Sequence, residues 1–133
     1  MATMAVEAAS QAYREGVGVT VIDPRWVKPL PASLITLADR YKSVVVVEDG
    51  IAHGGIASAL SEMFRSAGLN TPIHSIGVPL TFIEHSSRSE ILNDLGITAQ
   101  NIAREIVEWS SASPSSTVGV EMPLPQDENV NRR

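Results

Sequence analysis

The 133-residue chain carries fifteen acidic residues against ten Lys and Arg, a formal net charge of −5, and no cysteine. The length suits one domain, able to bury about two thirds of its unfolded surface. The acidic balance, with no basic stripe interleaved with aromatics, speaks against a nucleic-acid platform, the lack of cysteine excludes disulfides and thiolate metal sites, and no apolar run reaches the ~18–20 residues of a membrane span.

The chain opens with MATMAVEAAS, which has no basic flank before an apolar segment and so does not read as a signal peptide. A cytoplasmic protein is the expectation. Ala2, Ala5, Val6, Ala9, Ala12 and Tyr13 recur at helical spacing up to Gly16. An apolar face this rich in alanine demands a partner at close range. Residues 17–23, VGVTVID, predict a buried strand that ends at Asp23-Pro24, because proline cannot continue a central ladder. Three prolines within residues 24–31 then exclude a helix and predict a stiff crossing loop containing Arg25, Trp26 and Lys28. Ser33 is placed to cap a helix whose inner face is Leu34, Leu37, Ala38 and Tyr41.

Residues 43–55, SVVVVEDGIAHGG, organise the rest. Four consecutive β-branched valines read as a strand buried on both faces, typical of a parallel sheet covered by helices. The strand is expected to stop at Glu48-Asp49. Gly50 and Gly54-Gly55 then relax the backbone into a turn, and a helix follows with Ile56, Ala59, Leu60, Met63, Phe64 and Ala67 at spacings of three and four. Ile73–Val78 predicts a third, more polar strand nearer a sheet edge, ended by Pro79. Ser87 and Glu90 form an S-x-x-E capping box that opens a short helix to Leu95 and Gly96. Thr98 caps a last helix with Ala99, Ile102, Ala103 and Ile106 inward. From residue 113 proline, serine and charge dominate without period, so residues 1–112 read as the domain and 113–133 as a disordered tail. The alternation predicts a three-layer α/β/α sandwich with a mostly parallel sheet, thin at three strands.

Several residues could carry chemistry. The acidic tip Glu48-Asp49, at a strand's carboxyl end, could serve as acid or base, hold a cation, or salt-bridge a neighbouring loop. Arg25, which also follows a strand's carboxyl end, is the natural partner, and Lys28 the next. The glycine turn from Gly50 to Gly55, with Gly54 and Gly55 adjacent, lacks the G-x-G-x-x-G spacing and the lysine of a phosphate loop. It serves either an anion at the following helix's amino terminus or close helix packing. His53, His74 and His85 form no H-x-x-x-H pair, which disfavours a metal site. The loop holding His85 and Arg88 could touch an anionic ligand or another subunit, although local capping accounts for Ser87. No serine lies in a G-x-S-x-G elbow. Trp26 fits either an interface or the core.

An ordered set of residues has a family likeness: 19–30, VTVIDPRWVKPL, then Val47-Glu48-Asp49 with Gly54-Gly55, then Ile76-Gly77-Val78-Pro79, Phe82 and His85, then Ser87-Arg88-Ser89-Glu90 with Leu95-Gly96-Ile97. In that order, over about residues 1–110, they resemble the carboxy-terminal domain of transketolase-type, thiamine-diphosphate-dependent enzymes, on the 1-deoxy-D-xylulose-5-phosphate synthase branch. The beta subunits of 2-oxoacid dehydrogenases share the outline, and a free-standing α/β binding or assembly module is a further alternative. The resemblance implies a whole enzyme that condenses pyruvate with glyceraldehyde 3-phosphate, releasing carbon dioxide, with thiamine diphosphate and magnesium held by preceding domains. It implies no catalytic, cofactor-binding or metal residue in this chain. Arg25, Trp26, Lys28, Glu48, Asp49, Gly54, Gly55, His85 and Arg88 become candidates for a packing and interface network. It also implies two further strands before the first helix, one of them mid-sheet, so that this polypeptide is a truncated piece. The gap is expected to be met by pairing with another copy or with the missing domains, or by the remaining strands closing together.

Overall fold

The computed structural model describes residues 1–112. The expected tail at 113–133 lies outside the described residues. The elements in chain order are α1 (Ala2–Arg14), α2 (Ser33–Ala38), β1 (Val44–Ile51), α3 (Ile56–Ser66), β2 (Ile73–Val78), α4 (Arg88–Asp94) and α5 (Ala99–Ala112). No helix among them is long and apolar enough to cross a membrane.

The valines build β1 and place it between two helical layers. It pairs with β2 in parallel, from Val44 opposite Ile73 to Val47 opposite Ile76, and resumes at Ile51 opposite Val78 after an irregularity. Alternation along a strand sends successive side chains to opposite faces. Val45 and Val47 accordingly pack with Ala8, Ala12, Ile76, Ile102 and Ala103, beneath α1 and α5. Val44 and Val46 pack with Ala38, Ala57, Leu60 and Phe64, beneath α2 and α3. This is the expected α/β/α layering. The alanine face of α1 meets its close partner in α5, where Ala8 and Ala12 are fully buried.

The sheet is thinner than expected. Residues 17–23 do not form a strand, and the sheet among the described residues has two strands, β1 and β2. Val17 and Val19 still pack beneath α1 and α5, as their apolar pattern requires. A strand also needs a neighbour to share its ladder, and here none is within reach. Instead, Val17 closes α1 by donating its N–H to the Ala12 carbonyl at 3.0 Å, and Thr20 bonds the Tyr41 hydroxyl at 2.6 Å. A cleft of about 500 Å³ separates residues 17–25 from β1. Within the single chain the remaining strands therefore do not close together. The four valines lose burial on that side: only Val46 is buried, and Val44, Val45 and Val47 are half-buried.

Residues 24–31 contain no helix, as the prolines require, and Lys28–Pro29 is cis. Strand β1 runs past Glu48 to Ile51, three residues further than expected. The extension depends on Gly77, where a Cβ would lie 2.9 Å from the Gly50 carbonyl oxygen.

Candidate functional site

Glu48 is charged and sits at the end of a run of valines, yet it is buried, with only 8% of its surface exposed. Burial of a carboxylate demands hydrogen-bond donors. Helix α3 supplies one: the Ile56 N–H donates to Glu48 Oε2 at 3.1 Å. The first turn of a helix has unpaired N–H groups and a partial positive charge, and the residue at the cap position, Gly55, has no side chain to satisfy them. The cap thus comes from β1, across the turn. A Cβ on Gly55 would fall on the Glu48 carboxylate. The glycine turn serves helix packing and anion capture together, and the anion is the protein's own. Glu48 Oε1 is also buried and has no hydrogen-bond partner among the described residues.

Asp49 points the other way and is exposed. Its Oδ2 accepts from Arg88 Nη2 at 2.6 Å and from Arg88 Nε at 2.7 Å. The expected partner, Arg25, forms no ion pair among the described residues, and neither does Lys28. Arg25 is turned by its own loop: it takes a positive φ of 58°, and its N–H donates to Asp23 Oδ1 at 2.9 Å. Arg88 is delivered to Asp49 by the start of α4. There the expected capping box is present. The Ser87 side chain accepts from the Glu90 N–H at 3.3 Å, and Glu90 Oε2 accepts from the Ser87 N–H at 3.1 Å. Hydroxyl donation from Ser86 and Ser87 holds the Glu90 carboxyl down at about 2, from its ordinary 4.5, with the Ser87 N–H adding to the effect.

The candidates divide between two places. Asp49, His85 and Arg88 border a shallow pocket of about 490 Å³ together with Phe82, Ile83 and Glu84. Arg25 and Glu48 border the cleft beside β1, and Asp49 lies between the two and borders both. Trp26 is 73% exposed, which decides against a core position, and Lys28 beside it is exposed too. Phe82 is 95% exposed. One pairing lies outside the sequence-based expectations: His74 Nε2 is 2.9 Å from Glu105 Oε2, and its ring meets Trp109 at 4.5 Å between centroids. The only available signal was two polar residues on neighbouring apolar faces.

A magnesium diphosphate group needs several oxygen ligands on one metal. Among the described residues no group of three or more His, Asp or Glu is placed to hold a metal ion. The two tip carboxylates are engaged with Ile56 and Arg88. These residues do not fit the group.

Residues 1–102 match the family described as transketolase, C-terminal domain. Among curated relatives, the 1-deoxy-D-xylulose-5-phosphate synthase of Rhodococcus jostii is 46% identical over 81% of this chain, covering 17% of the relative. The synthase of Rhodococcus erythropolis is 43% identical over 90% of this chain and 18% of the relative. That of Clavibacter sepedonicus is 41% identical over 96% of this chain and 19% of the relative. The chain thus spans less than a fifth of the length of these relatives. Among solved structures, a split gene transketolase, described as an inactive beta4 tetramer, matches with a TM-score of 0.74 and 27% identity, over 84% of this chain and 37% of that one. The chain belongs to the transketolase C-terminal domain family.

Proposed function

We propose that this chain is the terminal, structural unit of a thiamine-diphosphate-dependent 1-deoxy-D-xylulose-5-phosphate synthase. That enzyme joins pyruvate to glyceraldehyde 3-phosphate with loss of carbon dioxide, in the cytoplasm, at the head of isoprenoid precursor synthesis. The observation that carries the reading is the 41–46% identity to synthases over most of the chain. It favours a synthase over a 2-oxoacid dehydrogenase beta subunit. Thiamine diphosphate and magnesium belong to the remaining polypeptide and supply the carbon–carbon bond chemistry there. The residues here contribute shape. Glu48 and Gly55 lock β1 to α3, and Asp49 and Arg88 tie β1 to α4. Trp26, Lys28, Phe82 and His85 offer exposed surface to the partner domains or to a second copy.

The purified chain, mixed with pyruvate, glyceraldehyde 3-phosphate, thiamine diphosphate and magnesium, is expected to give no product. Turnover by the chain alone would overthrow the reading. A Rhodococcus jostii synthase shortened to lack its terminal unit should bind this chain in pull-down. Failure to bind would favour a free-standing module.

A further inference from the structure

The last turn of α5 carries no basic residue, although the unpaired carbonyls at a helix's carboxyl end favour a cation. β2 brings an imidazole close to it instead. Alternation puts His74 on the same face of the strand as Ile76 and Val78, the face that α5 covers. Its Nε2 lies 2.9 Å from Glu105 Oε2, and its ring stands 4.5 Å from the Trp109 ring at an interplanar angle of 49°. Glu105 and Trp109 are four residues apart, so one helix face presents a carboxylate and an indole to the same histidine. All three side chains are half-buried, and water screens their contacts only in part.

Protonation changes both contacts in one direction. A neutral imidazole offers Glu105 at most one N–H, from Nε2. A charged ring meets the carboxylate as an ion pair and the indole as a cation against its π-electrons. Few other charges stand near. β2 has no further titratable side chain, and Val45 lies opposite His74 on β1. On α5, Arg104 and Glu108 pair with each other at 3.8 Å. Glu7, Tyr13 and Arg14 of α1 are exposed, and Glu62 and Arg65 belong to α3, beyond the other face of the sheet.

We propose that His74, Glu105 and Trp109 form a proton-operated clasp between β2 and the carboxyl half of α5. With the proton bound, the clasp holds the last turns of the helix to the sheet. As pH rises and the proton leaves, those turns loosen. The rest of α5 stays in place, because Ile102 and Ala103 are buried together with Ala8 and Ala12. The clasp belongs to this chain itself and is independent of the synthase reading.

Hydrogen exchange of the 133-residue chain between about pH 5 and 8, corrected for the intrinsic pH dependence of amide exchange, tests this segment by segment. Protection at 106–112 should fall about three- to tenfold more across that range than protection at 102–103. In His74→Gln, which keeps a donor but takes no proton, the extra fall should vanish. Glu105→Gln, which removes the ion pair and keeps the indole, should shrink it, and this variant carries the test if His74→Gln does not fold. The His74 ring signal in NMR should titrate with the same midpoint as the loss of protection. Protection at 106–112 that ignores pH would overturn the clasp. So would an equal fall in His74→Gln, no reduction in Glu105→Gln, or a midpoint that follows His53 or His85 instead.

Discussion

The two edges of β1 differ in a way their residues do not. Toward β2, Val44–Val47 meet Ile73–Ile76 in register, and Ile76 is buried. Toward residues 17–23 the same four valines face a cleft, and Val19 on its far side stays half-buried. Apolar pattern decides which residues leave water. Ladder formation needs a second backbone at about 4.8 Å, and side-chain pattern alone cannot provide it.

The sharpest test of that contrast is a pair of truncations. Ile76→Ala on the closed side should cost about 2–5 kcal/mol, whereas Val19→Ala on the open side should cost about 1 kcal/mol or less. Urea unfolding monitored by circular dichroism reads both, and equal losses would erase the distinction. At the junction of the two sides, Gly55→Ala drives a methyl group into the Glu48 carboxylate and should cost about 1–3 kcal/mol. Much of that cost should disappear in a Glu48→Ala background, as expected for two sites in contact.

Smaller effects belong to the α4 tether. Ser87→Ala removes the cap and should cost about 1 kcal/mol. The Glu90 carboxyl is held below its ordinary value, so its contribution is present in full above pH 4.5 and is lost as pH falls toward about 2. The stability gap between the parent and Glu90→Gln should therefore close across that window, and a gap that widened on acidification would contradict the capping geometry. Arg88→Ala should cost least, about 0–1 kcal/mol for so exposed a pair, and less still in 1 M salt.

Local features were legible in the sequence. The capping box at Ser87 and Glu90 needs only its own four residues, and it is present as read. The alternation of elements was enough for the α/β/α layering. Features that depend on where distant segments travel were not legible. Residues 17–23 have a strand's composition but no neighbour, and Asp49 is reached by Arg88 rather than Arg25 because one backbone turns away and the other is carried in by α4. Glu48 stands out in the sequence as a charge at the end of a valine run, but its role as the cap of α3 depends on a contact eight residues along the chain.

The two indoles give the protein an optical label of its own. Trp26 stands in solvent on a proline-bounded loop, and Trp109 lies against the His74 ring. Any molecule that seats over the loop would shift the fluorescence of the first towards the blue and leave the second as an internal reference. Assembly could then be followed at micromolar concentration without attaching a dye.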